Sequence, residues 1–219
     1  MSKGKGNELK HKVLAELEFD PEVDASKIGV TAEDGVVTLT GHAPSYAEKW
    51  AAERIAKRLL GVKAVANEIE VAINFDNHRD DTEIAISAVN ALNWNASVPN
   101  GHVKPLVTNG WVTLEGDVEW NYQKRAAEDA VRYLRGIRGV TNKIEVTPHV
   151  HAGDVKQKIE AALKRSAEVD SKNIVVETTD GSVTLRGNVR SWAEHEDAVN
   201  AAWAAPGVTT VFDHISIRA

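Results

Sequence analysis

The stretch DGVVTLTGHA, residues 34–43, decides the fold. Asp34-Gly35 is a hairpin-turn dipeptide, because glycine accepts positive φ and aspartate tolerates it. Val37 and Leu39 alternate with threonines behind it, the period of a strand with one buried face. The same Gly-x-Val-Thr-Leu-x-Gly core returns as NGWVTLEGDV at 109–118 and as DGSVTLRGNV at 180–189. Gly35, Gly110 and Gly181 thus hold one turn column, each behind an Asp or Asn. Comparing the copies gives the inward parity. Val37/Leu39, Val112/Leu114 and Val183/Leu185 stay apolar, whereas the preceding column holds Val36, Trp111 and Ser182.

Working outward, a second landmark trails each core at one distance. Gly61, Gly136 and Gly207 share a column, and Asn67, Asn142 and Asp213 share another. Upstream, Leu9, Val13 and Leu17 align without gaps on Ile84, Ala88 and Leu92, and on Val155, Ile159 and Leu163. The chain of 219 residues is therefore three tandem copies, at 8–71, 83–146 and 154–217, joined by short linkers.

Each copy opens with apolar residues four apart, the spacing of one helix face. Two strands follow around the Asp-Gly or Asn-Gly turn, then a helix predicted at about 47–60, 122–135 and 193–205, then an alternating strand. Ala52, Ala127 and Ala198 in that helix allow close approach to the sheet. The second hairpin glycines, Gly41, Gly116 and Gly187, fall at the inward parity and mark either close backbone approach or the strand's exit. Pro105 lacks an amide donor, so its strand is expected at an edge or interrupted. The predicted class is α+β: three tandem two-layer domains, each αββαβ, with a small three-stranded mixed sheet and two helices on one face. A unit of roughly 64 residues buries a low fraction of its surface, so contacts between copies or homo-oligomer formation are expected to add stability.

Glycine-rich hairpins, the trailing helix and the closing Gly-Val-x-x-Val-x-Asn-x-Ile-x-Val segment resemble the BON domain (bacterial OsmY and nodulation). The resemblance covers all three units and is carried by Gly35, Gly41, Gly61, Val65, Asn67 and their counterparts; Asp213 departs from it. It implies an αββαβ fold and a module that associates with phospholipid membranes or with the cell envelope, in proteins of osmotic shock and related settings. The implied partners are a phospholipid membrane or an envelope protein.

Composition narrows the function. A net charge of -6 works against nucleic-acid binding, and against strong attraction to anionic bilayers. There is no cysteine, which removes disulfides, thiolate nucleophiles and cysteine-based zinc sites. No leader-like apolar run opens the chain, giving the expectation of a cytoplasmic location, or a periplasmic one for a processed form. No phosphate-binding loop, nucleophile elbow or HExxH stretch occurs, so no enzyme activity and no cofactor are expected.

Several polar groups invite a site reading. His42, Asp117 and Asn188 share a column expected to be a solvated loop. Asn67, Asn142 and Asp213 are expected to satisfy backbone at the last strand. His149 and His151, with His78, are too few for a metal site. The acidic run Glu16, Glu18, Asp20, Glu22 and Asp24 lacks a calcium-loop pattern. Tryptophans remain as candidate interaction residues: Trp111 on the uncovered sheet face, with Trp120 and Trp192 at hairpin-to-helix junctions. A membrane or envelope module leads; a cytoplasmic protein-interaction or self-assembling scaffold is the alternative.

Overall fold

The computed structural model describes residues 2–74, 77–148, 155–165 and 173–218 and, of residues 2–4, the backbone. Copy one contains α1 (Ser2–Phe19), β1 (Ile28–Glu33), β2 (Val36–Ala43), α2 (Tyr46–Lys57) and β3 (Ala64–Val71). Copy two contains α3 (Asp81–Trp94), β4 (Val103–Thr108), β5 (Trp111–Val118), α4 (Asn121–Arg132), β6 (Gly139–Asn142) and β7 (Glu145–Val146). Copy three contains α5 (Val155–Arg165), β8 (Ile174–Thr179), β9 (Ser182–Val189), α6 (Trp192–Trp203) and β10 (Thr210–Ile217). The fold class is the predicted α+β arrangement, built three times. Most of copies one and three falls in one compact unit, and copy two with residues 43–47 in another.

The hairpin column explains the strand order. Asp34, Asn109 and Asp180 have φ of 49°, 51° and 45°. Gly35, Gly110 and Gly181 follow at 89°, 76° and 81°, which completes the backbone of a two-residue type I′ turn. That turn sets antiparallel registers such as Ile28↔Gly41, Val103↔Gly116 and Ile174↔Gly187. The turn glycines also meet the trailing ones. A Cβ added to Gly35, Gly110 or Gly181 would lie 2.9, 3.0 or 2.9 Å from the carbonyl oxygen of Gly61, Gly136 or Gly207. The middle strand then receives the last strand on its other side: β5 pairs parallel with β6 and β7, and β9 parallel with β10. The sheets run β1-β2-β3, β4-β5-β6 and β10-β9-β8.

At the second hairpin glycine the backbones meet even more closely. A Cβ added to Gly41, Gly116 or Gly187 would lie 2.1, 1.9 or 1.9 Å from the carbonyl oxygen of Lys27, His102 or Asn173. Close approach is therefore the role of this column.

Parity puts Val37/Leu39, Val112/Leu114 and Val183/Leu185 fully inside. In copy two, Ile84, Ala88 and Leu92 of α3 pack with Val112, Leu114 and, from α4, Ala127 and Val131. Copy three repeats this with Ile159, Leu163, Val183, Leu185 and Ala198. Val62, Ile137 and Val208, just after the trailing glycines, are buried core residues that the columns alone do not single out.

Four local differences from expectation have physical causes. The second helix of each copy ends earlier, at Lys57, Arg132 and Trp203. In copy one the chain tightens into turns there (Leu59 N to Ala56 O, 3.3 Å; Val62 N to Leu59 O, 3.3 Å) around the positive-φ glycine. Helix α1 begins well before Leu9 despite Gly4 and Gly6. Gly6 is buried, and a Cβ there would lie 2.5 Å from the Ala32 carbonyl, so tertiary contact overrides helix propensity. In copy two the last strand is split at Lys143, whose amide still donates to Leu114 O at 2.8 Å. The column of His42, Asp117 and Asn188 is not a loop but lies within β2, β5 and β9, because the hairpin strand continues for two residues past the second glycine. Pro105 lies in β4, an edge strand that runs unbroken.

Candidate functional site

Two places gather polar or aromatic side chains: the junction of the second helix with the last strand, and the outer surface of copy two.

The junction is built by the asparagine column. Alternation carries Asn67 to the inward side of β3, facing α2, where an unpaired amide would be costly. Its Nδ2 donates to Lys49 O at 3.1 Å and to Glu53 Oε2 at 3.1 Å, while its Oδ1 accepts the Ile69 amide at 3.3 Å. Asn142 repeats all three bonds, to Lys124 O (2.9 Å), Glu128 Oε2 (3.2 Å) and from Ile144 N (3.2 Å). Copy three reaches the same tie by different chemistry. Val199 replaces the glutamate, Asp213 replaces the asparagine, and His195 stands in the lysine column. Asp213 Oδ1 still accepts the Ile215 amide at 3.0 Å, and its Oδ2 lies 2.6 Å from His195 Nε2. One acidic group per junction is kept, moved from helix to strand. Burial pushes the Glu53 carboxyl up, but hydrogen bonds from Lys57 and Asn67 outweigh it and hold the group below its ordinary range.

These bonds run between helix, strand and neighbouring backbone, so the junction is a fastening. His42 lies near Glu70 and His102 near Asp117, at 3.7 and 3.5 Å, as exposed pairs. In the acidic run, Glu22 pairs with Arg54 at 2.8 Å and Asp24 with Lys27 at 2.8 Å. No group of three or more His, Cys, Asp or Glu among the described residues could hold a metal ion. His149 and His151 lie outside the described residues.

The tryptophans separate clearly. Trp111 is 48% exposed on the outer sheet face, where its ring lies on Gly139 and its Nε1 donates to Thr141 Oγ1 at 2.7 Å. Leu106, at the same outward parity on β4, is exposed beside that strand. Trp120 is half-buried at the start of α4, with its amide donating to Gln123 Oε1 at 2.9 Å. Trp192 is half-buried at the start of α6, edge-on to His195.

The most exposed tryptophan named so far by neither parity nor junction is Trp94, at 88%. It ends α3, and Ile86 and Val89 are exposed with it. Helical spacing spreads the three over the half of the helix opposite the buried Ile84, Ala88 and Leu92, where the exposed Glu83, Asn90 and Asn93 lie among them. That helix carries no basic residue, and its acids sit in the first turn. The signal is available by column: copy three has Gln157, Glu160 and Arg165 at these positions, and copy one has His11, Leu14 and the exposed Phe19. No helix among the described residues is long and apolar enough to cross a membrane.

The chain is similar to several known proteins. The chain is 32% identical over 156 residues to Osmotically-inducible protein Y of Escherichia coli, covering 65% of this chain and 75% of that protein. It is 30% identical over 145 residues to the 21 kDa hemolysin of Actinobacillus pleuropneumoniae, covering 65% and 73%. It is 29% identical over 135 residues to the outer membrane lipoprotein DolP of Haemophilus influenzae, covering 60% and 69%. The BON domain is a non-catalytic binding module, generally associated with membrane and envelope binding. Its profile matches residues 6–73, 80–148 and 151–219, and the chain thus belongs to the BON domain family, as three tandem copies.

Proposed function

We propose that this protein associates with phospholipid membrane surfaces through copy two, in an osmotic-stress setting. The observation that carries it is the Ile86–Val89–Trp94 face of α3. Three large apolar side chains left in water disfavour the isolated molecule, and an indole at the helix end, set among asparagines, suits the boundary between headgroups and acyl chains. The face has no cation, and the whole chain carries -6, so attraction rests on apolar insertion and not on anionic lipid. Similarity to an osmotically inducible protein supports the stress setting.

The test is co-sedimentation with neutral phosphatidylcholine vesicles and with vesicles containing phosphatidylglycerol, at low and high salt. Binding to neutral vesicles that salt does not weaken is expected. Trp94→Ala should reduce it, and the triple change Ile86→Gln, Val89→Glu, Trp94→Arg should remove it. Failure to bind any vesicle, or binding untouched by the triple change, overturns the proposal.

A protein partner, or self-association, is the second reading, and Trp111 favours it. Its ring is pinned on Gly139 and tied to Thr141, so little side-chain freedom remains to be lost on contact. Light scattering of the full chain with and without Trp111→Ala tests self-association: a mass that does not fall with the change removes it.

A further inference from the structure

Copies one and two carry the same hairpin turn in opposite electrostatic settings. In copy two Asp81, the first residue of α3, lays its carboxylate on the turn: one oxygen accepts from Asn109 N and the other from Gly110 N, both at 2.8 Å. Two successive amides at positive φ form a concave anion-binding group, and copy two fills it with an anion of its own. Gly110 is buried there.

In copy one the column of Asp81 holds Gly6, and that of Asp80 holds Lys5. The turn is the same, with Gly35 at a φ of 89° against 76° for Gly110. Yet Gly35 is half-buried, and among the described residues its N–H meets no acceptor. Copy one cannot supply one from the Gly6 position, since a Cβ there would lie 2.5 Å from the Ala32 carbonyl oxygen. Instead a cleft of about 440 Å³ opens at this corner, with Gly6, Gly35 and Gly61 in its lining. The cleft also carries Lys5, Lys12 and Lys63 against Glu8 and Asp34. Lys12 is engaged with Glu8 at 2.7 Å. The same columns in copy two hold Arg135 and Arg138 against Asp80, Asp81 and Glu83. The excess charge therefore changes sign between the copies: copy two has a carboxylate to place on its turn, and copy one has a turn amide and a cation in its stead.

We propose that this corner of copy one binds the carboxylate group of a small organic anion, seated as the Asp81 carboxylate is seated in copy two. An oxygen of the ligand accepts from Gly35 N, and Lys5 and Lys63 supply the compensating charge. Lys63 runs beside the turn, its aliphatic stem 2.9 Å from where a Cβ on Gly35 would lie. The occupant is a carboxylate because that is the group the same turn holds in copy two. The site lies in a different copy from the outer face of α3 and does not depend on membrane association.

The probe is succinate, titrated into the full chain at a constant ionic strength of about 0.15 M and followed by ¹H–¹⁵N spectra, with inorganic phosphate as the comparison anion. The Gly35 amide should move saturably, with a Kd of about 1–10 mM, while Gly110, already satisfied, stays still. Lys5→Ala and Lys63→Ala, both at exposed positions, should each weaken binding about twofold. The double change Lys5→Glu, Lys63→Glu should remove it. Asp81→Ala should create a second site, at which the Asn109 and Gly110 amides respond to succinate over a similar range. A Gly35 amide that shows no saturation up to about 50 mM, an affinity that the double reversal leaves unchanged, or a Gly110 amide that stays unresponsive in Asp81→Ala, would each overturn the proposal. Tighter binding of phosphate than of succinate would overturn the carboxylate as occupant.

Discussion

A reciprocal exchange at the helix–strand junction should be strongly asymmetric. Consider Asn142→Asp in copy two and Asp213→Asn in copy three. In copy two the new carboxylate keeps the oxygen that accepts the Ile144 amide but loses both donor bonds, to Lys124 O and Glu128 Oε2. Each lost bond is worth about 1 kcal/mol. In addition, two carboxylates now face each other at the 3.2 Å once spanned by the amide. That repulsion is about 5 kcal/mol at an effective dielectric of about 20 and about 1 in bulk water. With Glu128 partly exposed, about 2 is a fair intermediate, for a total of about 4 kcal/mol. The domain midpoint should fall by at least about 10 °C. In copy three the opposite change has no glutamate to answer, since Val199 fills that column. The introduced amide would keep the bond from Ile215 and lose only the charge on the contact with His195, a loss of about 1 kcal/mol. Thermal unfolding of the full chain at pH 7, with hydrogen exchange to assign each loss to its copy, measures both. Equal losses, or a greater loss in copy three, would refute the claim that the junctions are alternative solutions to one requirement.

Gly116→Ala should disable copy two, since the new Cβ meets the His102 carbonyl at a φ of 132°; a loss above about 3 kcal/mol is expected by urea unfolding. Asp81→Ala removes the carboxylate that accepts from the Asn109 and Gly110 amides, both at 2.8 Å, and should lower stability by about 1–2 kcal/mol and speed exchange of those two amides. The Glu53 carboxyl is held below its ordinary 4.5 in the folded chain, so the unfolded chain takes up that proton first. Its contribution is therefore full above that value and fades as pH falls through the folded pKa; a Glu53→Gln chain should show a flatter loss of stability below about pH 4.5, and an unchanged slope would count against this.

The inner face of each copy is legible because three versions of one solution can be compared. Val36, Trp111 and Ser182 vary where Val37, Val112 and Val183 do not, and parity follows without any further information. The turn is legible because positive φ at two successive residues strongly favours pairs such as Asp-Gly or Asn-Gly, as at Asp180-Gly181. What escapes is tertiary. Gly6 weakens a helix locally, and only its contact with Ala32 shows why it sits inside one. Trp50 and Trp192 occupy different columns in copies far apart in sequence, so no spacing announces that they line one cleft. The outer face of α3 is hidden by its own inner face. Once Ile84, Ala88 and Leu92 account for a buried stripe, Ile86 and Val89 read as surplus to the pattern.

That surplus bears on function because copy three serves as a control within the same molecule. Helix α5 buries Ile159 and Leu163 in the same way that α3 buries Ala88 and Leu92, yet its outer positions are Gln157, Glu160 and Arg165. The fold therefore does not need apolar residues there. Nor does stability favour them, since side chains as exposed as Ile86 and Trp94 gain little from packing in the isolated chain. A group that contributes nothing to its own domain, and lowers solubility, acquires a favourable free energy only when something covers it. Copy one carries part of the same feature in the exposed Phe19, the column of Trp94, but has His11 where copy two has Ile86. Copy two alone combines the terminal aromatic with two exposed aliphatic side chains and a face without cations. The chemistry of that combination suits an apolar or interfacial surface as its cover, and on this helix it sets copy two apart from its neighbours, as the Asp213–His195 junction sets copy three apart.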